Sequence, residues 1–285
     1  MAFLILHSGK GECLSKIESA LYSAHCSFNS HNYKEISVEV GLSSEPVLTV
    51  SGRDLKDFSF IFFRGFKNAQ TQAALVASYA RYHNICLVNS GFLLRPRYSK
   101  IEDLLLLSLA GVPIVPTVYN SELKKVVAAL GLPLVAKENE SDRGVGVSRI
   151  ETLEDLSRLP HGMHYQKYIS AKSDVRVLVL GGTALGAIER RSHNTKEFRH
   201  NVSLGGSAQA CTVTPEVASL ACKAALVLGC EFAGVDLIRD PATSTLAVLE
   251  VNKCPEFNGF MQATGIDVPN ELVNFFLRLE GNLLQ

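Results

Sequence analysis

The sequence has no excess of either charge. Its 28 Lys and Arg balance 28 Asp and Glu, for a formal net charge of +0. That excludes a broad electrostatic pull toward nucleic acid or a membrane surface. Its 7 cysteines are an odd number with no CxxC pair, so a reduced, cytoplasmic protein is expected. No apolar run approaches membrane-spanning length. The opening Ala2-Phe3-Leu4-Ile5-Leu6 is too short for a signal-peptide core and lacks a basic leader. There is no internal repeat and no low-complexity tail. What is present is a 285-residue chain, 47% hydrophobic and 20% charged, long enough for two or three lobes with real cores.

The most informative stretch is residues 232–260. Asp236 sits inside the apolar run 233–238, and Glu250 and Asn252 sit inside 246–252. Between them lies Asp240-Pro241-Ala242-Thr243-Ser244, rich in residues that preset turn dihedrals. This reads as a hairpin. Residues two apart on a strand share a face, so Glu250 and Asn252 project together. If Asp240 pairs with Leu246, Asp236 falls opposite Glu250. Two facing carboxylates repel unless a cation lies between them. The trio offers hard oxygen donors and no His or Cys, which favours Mg²⁺ or Mn²⁺ over zinc. The rival reading is a solvated strand face, disfavoured because both strands read as buried and unpaired buried acids are costly.

Strand and helix signals alternate through residues 1–90, suggesting an open α/β lobe. Strands are expected over 3–6, 36–40, 47–50, 58–63 and 85–88, and helices over 11–24 and 68–81. His7-Ser8-Gly9-Lys10-Gly11 suits either an anion site or an ordinary βα turn. Arg64-Gly65, after an apolar strand, is a substrate-site candidate because open sheets bind ligands at strand C-terminal ends. In 91–170, helices are expected over 99–110 and 121–130, a strand over 133–137, a short helix over 152–158 and a strand over 163–169. The loop 141–147, with Gly144 and Gly146, could bring backbone N–H groups near phosphate oxygens. In 171–285, a hairpin over 174–180 and 183–190 leads to a cationic stretch. Thr214 and Pro215 start a helix, and a last helix covers 269–279.

The pattern of Asp236 followed by Glu250-Val251-Asn252 on paired strands resembles the metal site of ATP-grasp ligases, in their RimK-type branch. Several other pieces resemble that branch in unbroken order. They are Val88-Asn89, Lys100, Pro133-Leu134-Val135-Ala136-Lys137, the glycine loop, Gln166-Lys167-Tyr168-Ile169, Asp174-Val175-Arg176, Ala187-Ile188-Glu189-Arg190-Arg191, Phe198-Arg199-His200-Asn201 and Gly205-Gly206-Ser207-Ala208. Any one piece is common; the ordered set, from Asn89 to Asp267, is specific.

The resemblance implies an α/β ATP-grasp fold of three lobes: an N-terminal lobe (1–90), a small nucleotide-gripping lobe (91–170) and a metal-bearing lobe (171–285). It implies an ATP-dependent carboxylate–amine ligase, working through an acyl phosphate and releasing ADP and phosphate. Lys100, Lys137, Gly144 and Gly146 would hold the phosphates. Gln166, Lys167, Tyr168 and Ile169 would form the adenine-side hinge, and Asp174 would reach the ribose. Arg199, His200 and Asn201 would line the phosphate side. Asp236, Glu250 and Asn252 would hold two Mg²⁺ or Mn²⁺ ions, and Arg176 and Arg190 would clamp the acid or the forming acyl phosphate. The chemistry itself needs such types, because a carboxylate attacking a triphosphate must be bridged to it by cations.

Implied partners are a peptide or small-molecule carboxylate, an amino acid such as glutamate as the amine, a carrier protein in one branch, and a second copy of the chain. No nucleic acid or membrane is implied. The sequence departs from the family at Lys167, where Glu is frequent, at Ser99, where Asp is usual, and in Lys253-Cys254-Pro255-Glu256-Phe257-Asn258. The Glu-Phe pair there leans toward the LysX-type branch, which acts on a carrier protein. Two rival functions are an ATP-binding scaffold and a nucleic-acid binder using residues 190–200. The intact Asp236, Glu250, Asn252, Lys100, Lys137 and Arg190 weigh against the first. Zero net charge and the lack of interleaved aromatics weigh against the second.

Overall fold

The structure, a computed structural model, describes residues 2–42, 44–66, 68–119, 122–139, 146–160, 162–192 and 206–283. The first elements are β1 (Phe3–His7), α1 (Glu12–Ser23), β2 (Phe28–Asn32), β3 (Ile36–Glu39), β4 (Val47–Val50), β5 (Arg53–Asp54), β6 (Phe60–Arg64), α2 (Gln70–Tyr82) and β7 (Cys86–Val88). A parallel sheet runs β2-β1-β6-β7, and β3, β4 and β5 form a small separate sheet. Alternation sorts the parallel strands. Phe3, Ile5, Phe60 and Phe62 meet Leu14, Ile17 and Leu21 of α1, while Leu4, Leu6, Ile61 and Phe63 meet α2. The unforeseen β2, Phe-Asn-Ser-His-Asn, is a partly exposed edge strand too polar to announce itself.

Next come α3 (Lys100–Leu109), β8 (Thr117–Tyr119), α4 (Leu123–Leu130), β9 (Leu134–Glu138), β10 (Val147–Ile150), α5 (Leu153–Ser157) and β11 (Met163–Lys167). Their antiparallel sheet runs β10-β9-β11-β8. It has its own small core, including Val126, Leu134, Ala136, Ile150 and Leu156. Helix α3 instead sends Leu107 into the core of the sheet that follows.

The rest is β12 (Asp174–Leu180), β13 (Thr183–Arg191), β14 (Ser207–Cys211), α6 (Pro215–Val227), β15 (Phe232–Arg239), β16 (Leu246–Asn252), α7 (Asn258–Thr264) and α8 (Val268–Leu283). The antiparallel sheet runs β14-β13-β12-β15-β16. As expected, Thr214 caps α6 by accepting from the Val217 N–H at 3.3 Å, with Pro215 in the first turn. One sheet face (Val177, Val179, Ala187, Val235) packs on α6. The other (Leu178, Leu180, Ile188, Phe232) shares a core with β1, β6, α1 and α8. The turn after β7 also meets the turn between α6 and β15 directly, where Gly91 N–H donates to Gly229 C=O at 2.8 Å. A Cβ at Gly91 would lie 2.0 Å from the Leu228 carbonyl oxygen, so only glycine fits.

The β15–β16 hairpin places Asp236 opposite Glu250, as expected, by a different route. The turn pairs Arg239, not Asp240, with Leu246, and a bulge between Asp236 and Leu237 shifts the register by one. Continued without the bulge, that register would set Asp236 against Leu249.

Candidate active site

The face of the large sheet that packs on the N-terminal lobe changes character along its length. On β12 the inward series is Asp174, Arg176, Leu178 and Leu180; on β15 it is Asp236, Gly234 and Phe232; on β13 it is Arg190 and Ile188. The apolar halves are in the shared core. The charged halves continue the same face beyond it, because a period of two keeps each series on one side. Gly234 makes room: a Cβ there would be 3.1 Å from the Pro255 Cβ and 3.8 Å from the Arg176 Cδ.

Register then makes the ion pairs. Arg176 faces Asp236 and Asp174 faces Arg190 across adjacent strands. Arg176 donates to both Asp236 oxygens, Nε at 2.6 Å and Nη2 at 2.7 Å. Arg190 donates to Asp174 at 2.6 Å and reaches Asp236 at 3.0 Å. Asp236 and Arg190 are each only 3% exposed. Burial alone would raise the Asp236 carboxyl, but Arg176 and Arg190 hold it well below the usual carboxylate range.

Glu250 meets Lys100, whose ammonium stands 3.2 Å from Oε2. Burial pushes Glu250 up; Lys100 and Lys137 outweigh that push and the Asp236 charge, and the carboxyl ends lowered. Asn252 reaches toward Asp236 at 3.5 Å and Glu250 at 3.3 Å. The three side chains converge: the two carboxylates offer hard oxygen donors suited to a Mg²⁺-type ion, and Asn252 turns its amide nitrogen to them. In this state their charges are balanced by Arg176, Arg190 and Lys100.

The β10-β9-β11-β8 sheet faces this cluster with Lys137. Its ammonium donates to Gln166 Oε1 at 2.5 Å, and Gln166 in turn donates to Thr117 at 3.2 Å. Burial lowers the Lys137 pKa. His164, beside Lys137 in register, is lowered to about 3 by burial and then by Lys137 and Lys100. Among the described residues the cluster therefore holds four cations (Lys100, Lys137, Arg176, Arg190) and three carboxylates (Asp174, Asp236, Glu250). That surplus suits a polyanion.

Other expected residues fall in place unevenly. Lys167 gives its backbone N–H to Pro116 C=O at 2.9 Å, so that donor is already taken, and its ammonium lies 3.8 Å from Asp240. Tyr168 lies under the Arg149 guanidinium at 4.3 Å, and Ile169 packs beside Val115, Ile238 and Ala247. Gly146 has φ +65°, and a Cβ there would strike Glu138 at 2.3 Å. Gly144, Arg199, His200 and Asn201 lie outside the described residues, as does most of the glycine loop. Arg64, at the end of β6, donates to Cys254 Sγ at 2.8 Å and Pro255 C=O at 2.9 Å, tying the loop after Asn252 to the parallel sheet.

Two groups were missed. Asp103 and Lys253 form a buried ion pair at 2.6 Å. His164 is buried beside Lys137. The available signals were Asp103 lying three residues after Lys100 and Lys253 directly following Asn252.

The RimK-like ATP-grasp domain model matches residues 106–276. A probable alpha-L-glutamate ligase of Methanococcoides burtonii is 30% identical over 246 residues, covering 82% of this chain and 81% of the relative. One from Syntrophotalea carbinolica is 31% identical over 248 residues, with 82% and 81% covered. Among solved structures, the ATP-grasp ligase PsnB with its minimal precursor superposes with TM-score 0.76 at 15% identity, covering 98% of this chain and 99% of that one. PsnB is also solved with Mg and ADP, at TM-score 0.75 and 16% identity over 98% and 97% of the two chains. No helix among the described residues is long and apolar enough to cross a membrane. With the fold, the paired strands of the site and these matches in agreement, the chain belongs to the RimK-like ATP-grasp family of ATP-dependent carboxylate–amine ligases.

Proposed function

We propose that this ligase joins an amino acid, glutamate being the leading candidate, to a carboxylate on a peptide, carrier protein or small metabolite. It would do so in the cytoplasm, where its seven free thiols stay reduced. The observation that carries the reading is the convergence of Lys100, Lys137, Arg176 and Arg190 on Asp236 and Glu250 between two sheets. The glutamate-ligase name of the sequence relatives supports glutamate, and PsnB's complex with a precursor peptide supports a peptide acid.

In this reading Lys100 and Lys137 hold the outer phosphates of ATP. Gly144 and Gly146 would offer backbone N–H groups to them, and Arg199, His200 and Asn201 would add to the phosphate side. Gln166, Lys167, Tyr168 and Ile169 flank the base, and Asp174 lies toward the ribose. Asp236, Glu250 and Asn252 would hold two Mg²⁺ or Mn²⁺ ions, which when bound neutralise charge on the transferring phosphoryl group. Arg176 or Arg190 leaves its carboxylate partner to take the substrate acid. A carboxylate oxygen attacks the γ-phosphorus and the bond to ADP breaks. The amine then attacks the acyl carbon, phosphate leaves, and the amine loses a proton. Water must be excluded until the amine arrives.

The test supplies candidate acids with ATP and hydroxylamine. Hydroxamate with stoichiometric ADP is expected, and AMP as the nucleotide product would overturn the mechanism.

A further inference from the structure

Helix α3 begins with a cation. Lys100 occupies its first turn, behind the cap Ser99, where the helix dipole disfavours positive charge. Its counter-charge comes from Glu250 on β16. One turn later the same face of α3 carries the opposite charge, because residues three apart stack on a helix. Asp103 accepts from the Lys253 ammonium at 2.6 Å. Both partners are buried, Asp103 at 8% and Lys253 at 7% exposure. Helix and strand thus meet through two crossed pairs, plus-minus on α3 against minus-plus along 250–253. A one-turn slip of α3 would set Asp103 against Glu250, two acids face to face.

The inner pair is held from three sides. Asn89 Nδ2 donates to the Lys253 carbonyl at 2.9 Å, fixing the backbone. The Phe92 ring centroid lies 5.9 Å from the ammonium. Leu107, one turn further along α3, anchors the helix in the core of the large sheet. Lys100 is more open: its side chain is 21% exposed.

We propose that Asp103, through Lys253, is a positioning residue for nucleotide binding: it fixes the register of α3 against β16 and so holds the Lys100 ammonium over the site at Glu250. This rests on the reading that Lys100 contacts the phosphates.

The test is a double-mutant cycle on the full chain, read by thermal midpoint and by affinity for the ATP analogue AMPPNP with Mg²⁺. The inner pair is replaced as Asp103→Leu with Lys253→Met, because well-packed apolar replacement of both members of a buried pair is often tolerated. The thermal midpoint should stay within about 5 °C of the parent, while affinity falls about tenfold through loss of register. In the Lys100→Met background the same replacement should cost less than about twofold, because both changes act on one contact. Parent-level affinity in the paired variant, or an equal loss with and without Lys100, overturns the proposal. If the paired variant does not fold, Asp103→Glu keeps the charge, lengthens the arm, and enters the same cycle with the same criteria. Unchanged affinity in Lys100→Met alone would instead overturn the phosphate role of Lys100, an outcome distinct from failure of the register.

Discussion

Arg176 and Asp236 face each other across β12 and β15 and are joined by two parallel hydrogen bonds, at 2.6 and 2.7 Å. The carboxylate expected to need a metal for charge balance is balanced here by the protein's own guanidinium. An ion at Asp236 must compete with that fork. Arg176→Ala should therefore destabilise the metal-free protein by about 2 kcal/mol, since Arg190 still compensates part of the buried charge. Mn²⁺ should raise the melting temperature of the variant more than that of the parent. An equal rise in both would remove Asp236 from the metal site.

Glu250→Gln keeps the size of the side chain and removes its charge. ADP formation should fall by at least about a hundredfold, as removal of a group that positions transition-state charge does. Near-parent circular dichroism is expected alongside. Retention of most activity would show that Glu250 is not a ligand.

His164 is 1% exposed, and its Nδ1 lies 2.9 Å from Asn139 Oδ1. Burial, then Lys137 and Lys100, bring its pKa from 6.5 to about 3. The unfolded chain takes this proton near the higher value and the folded chain only near the lower. The contribution to stability is full above about pH 6.5 and is lost as pH falls toward about 3, at roughly 1.4 kcal/mol per pH unit. Urea unfolding of the parent and of His164→Gln across that window should give curves that diverge, the variant being flatter. Parallel curves would mean that the imidazole titrates normally in the folded protein.

Asn89 links three segments with one amide. Its Nδ2 donates to Phe232 C=O and Lys253 C=O, both at 2.9 Å, and its Oδ1 accepts from the Phe232 N–H at 2.7 Å. Asn89→Ala leaves these buried backbone groups unpaired and should cost about 3 kcal/mol. Chemical denaturation reads this directly. A loss under about 0.5 kcal/mol would imply that water or a shifted backbone replaces the amide.

The hairpin shows both the reach and the limit of the sequence. Glu250 and Asn252 are two apart, so their common face was legible. Their placement against Asp236 came out as expected although the assumed Asp240–Leu246 pairing did not, because an irregularity at Asp236 and Leu237 offset the error. Bulges leave no period-two trace, so this one could not be read. The strands β2 and β14 escaped for a related reason: their short, polar or small-residue runs resemble loops, and only pairing with neighbours makes them strands. Side chains from distant segments posed a different difficulty. Arg176, Arg190, Lys100 and Lys137 could be named as site residues from resemblance. That Arg190 would bridge Asp174 and Asp236, or that Lys253 would reach Asp103, depends on contacts between residues up to 150 apart in the chain.

The close approach of Gly91 and Gly229 has a mechanical consequence. Together with the shared core of Phe3, Phe60, Phe232 and Phe276, it welds the first and last sheets into one chassis. The β10-β9-β11-β8 sheet has a core of its own and meets the chassis near Ile169 and Ala171, through the small cluster of Val115, Ile238 and Ala247. If the cleft opens, the sheet with its own core is expected to be the part that moves, carrying Lys137 and Gln166 away from Lys100, Glu250 and Asp236. Stiffening that small cluster would then slow turnover without touching a reacting group.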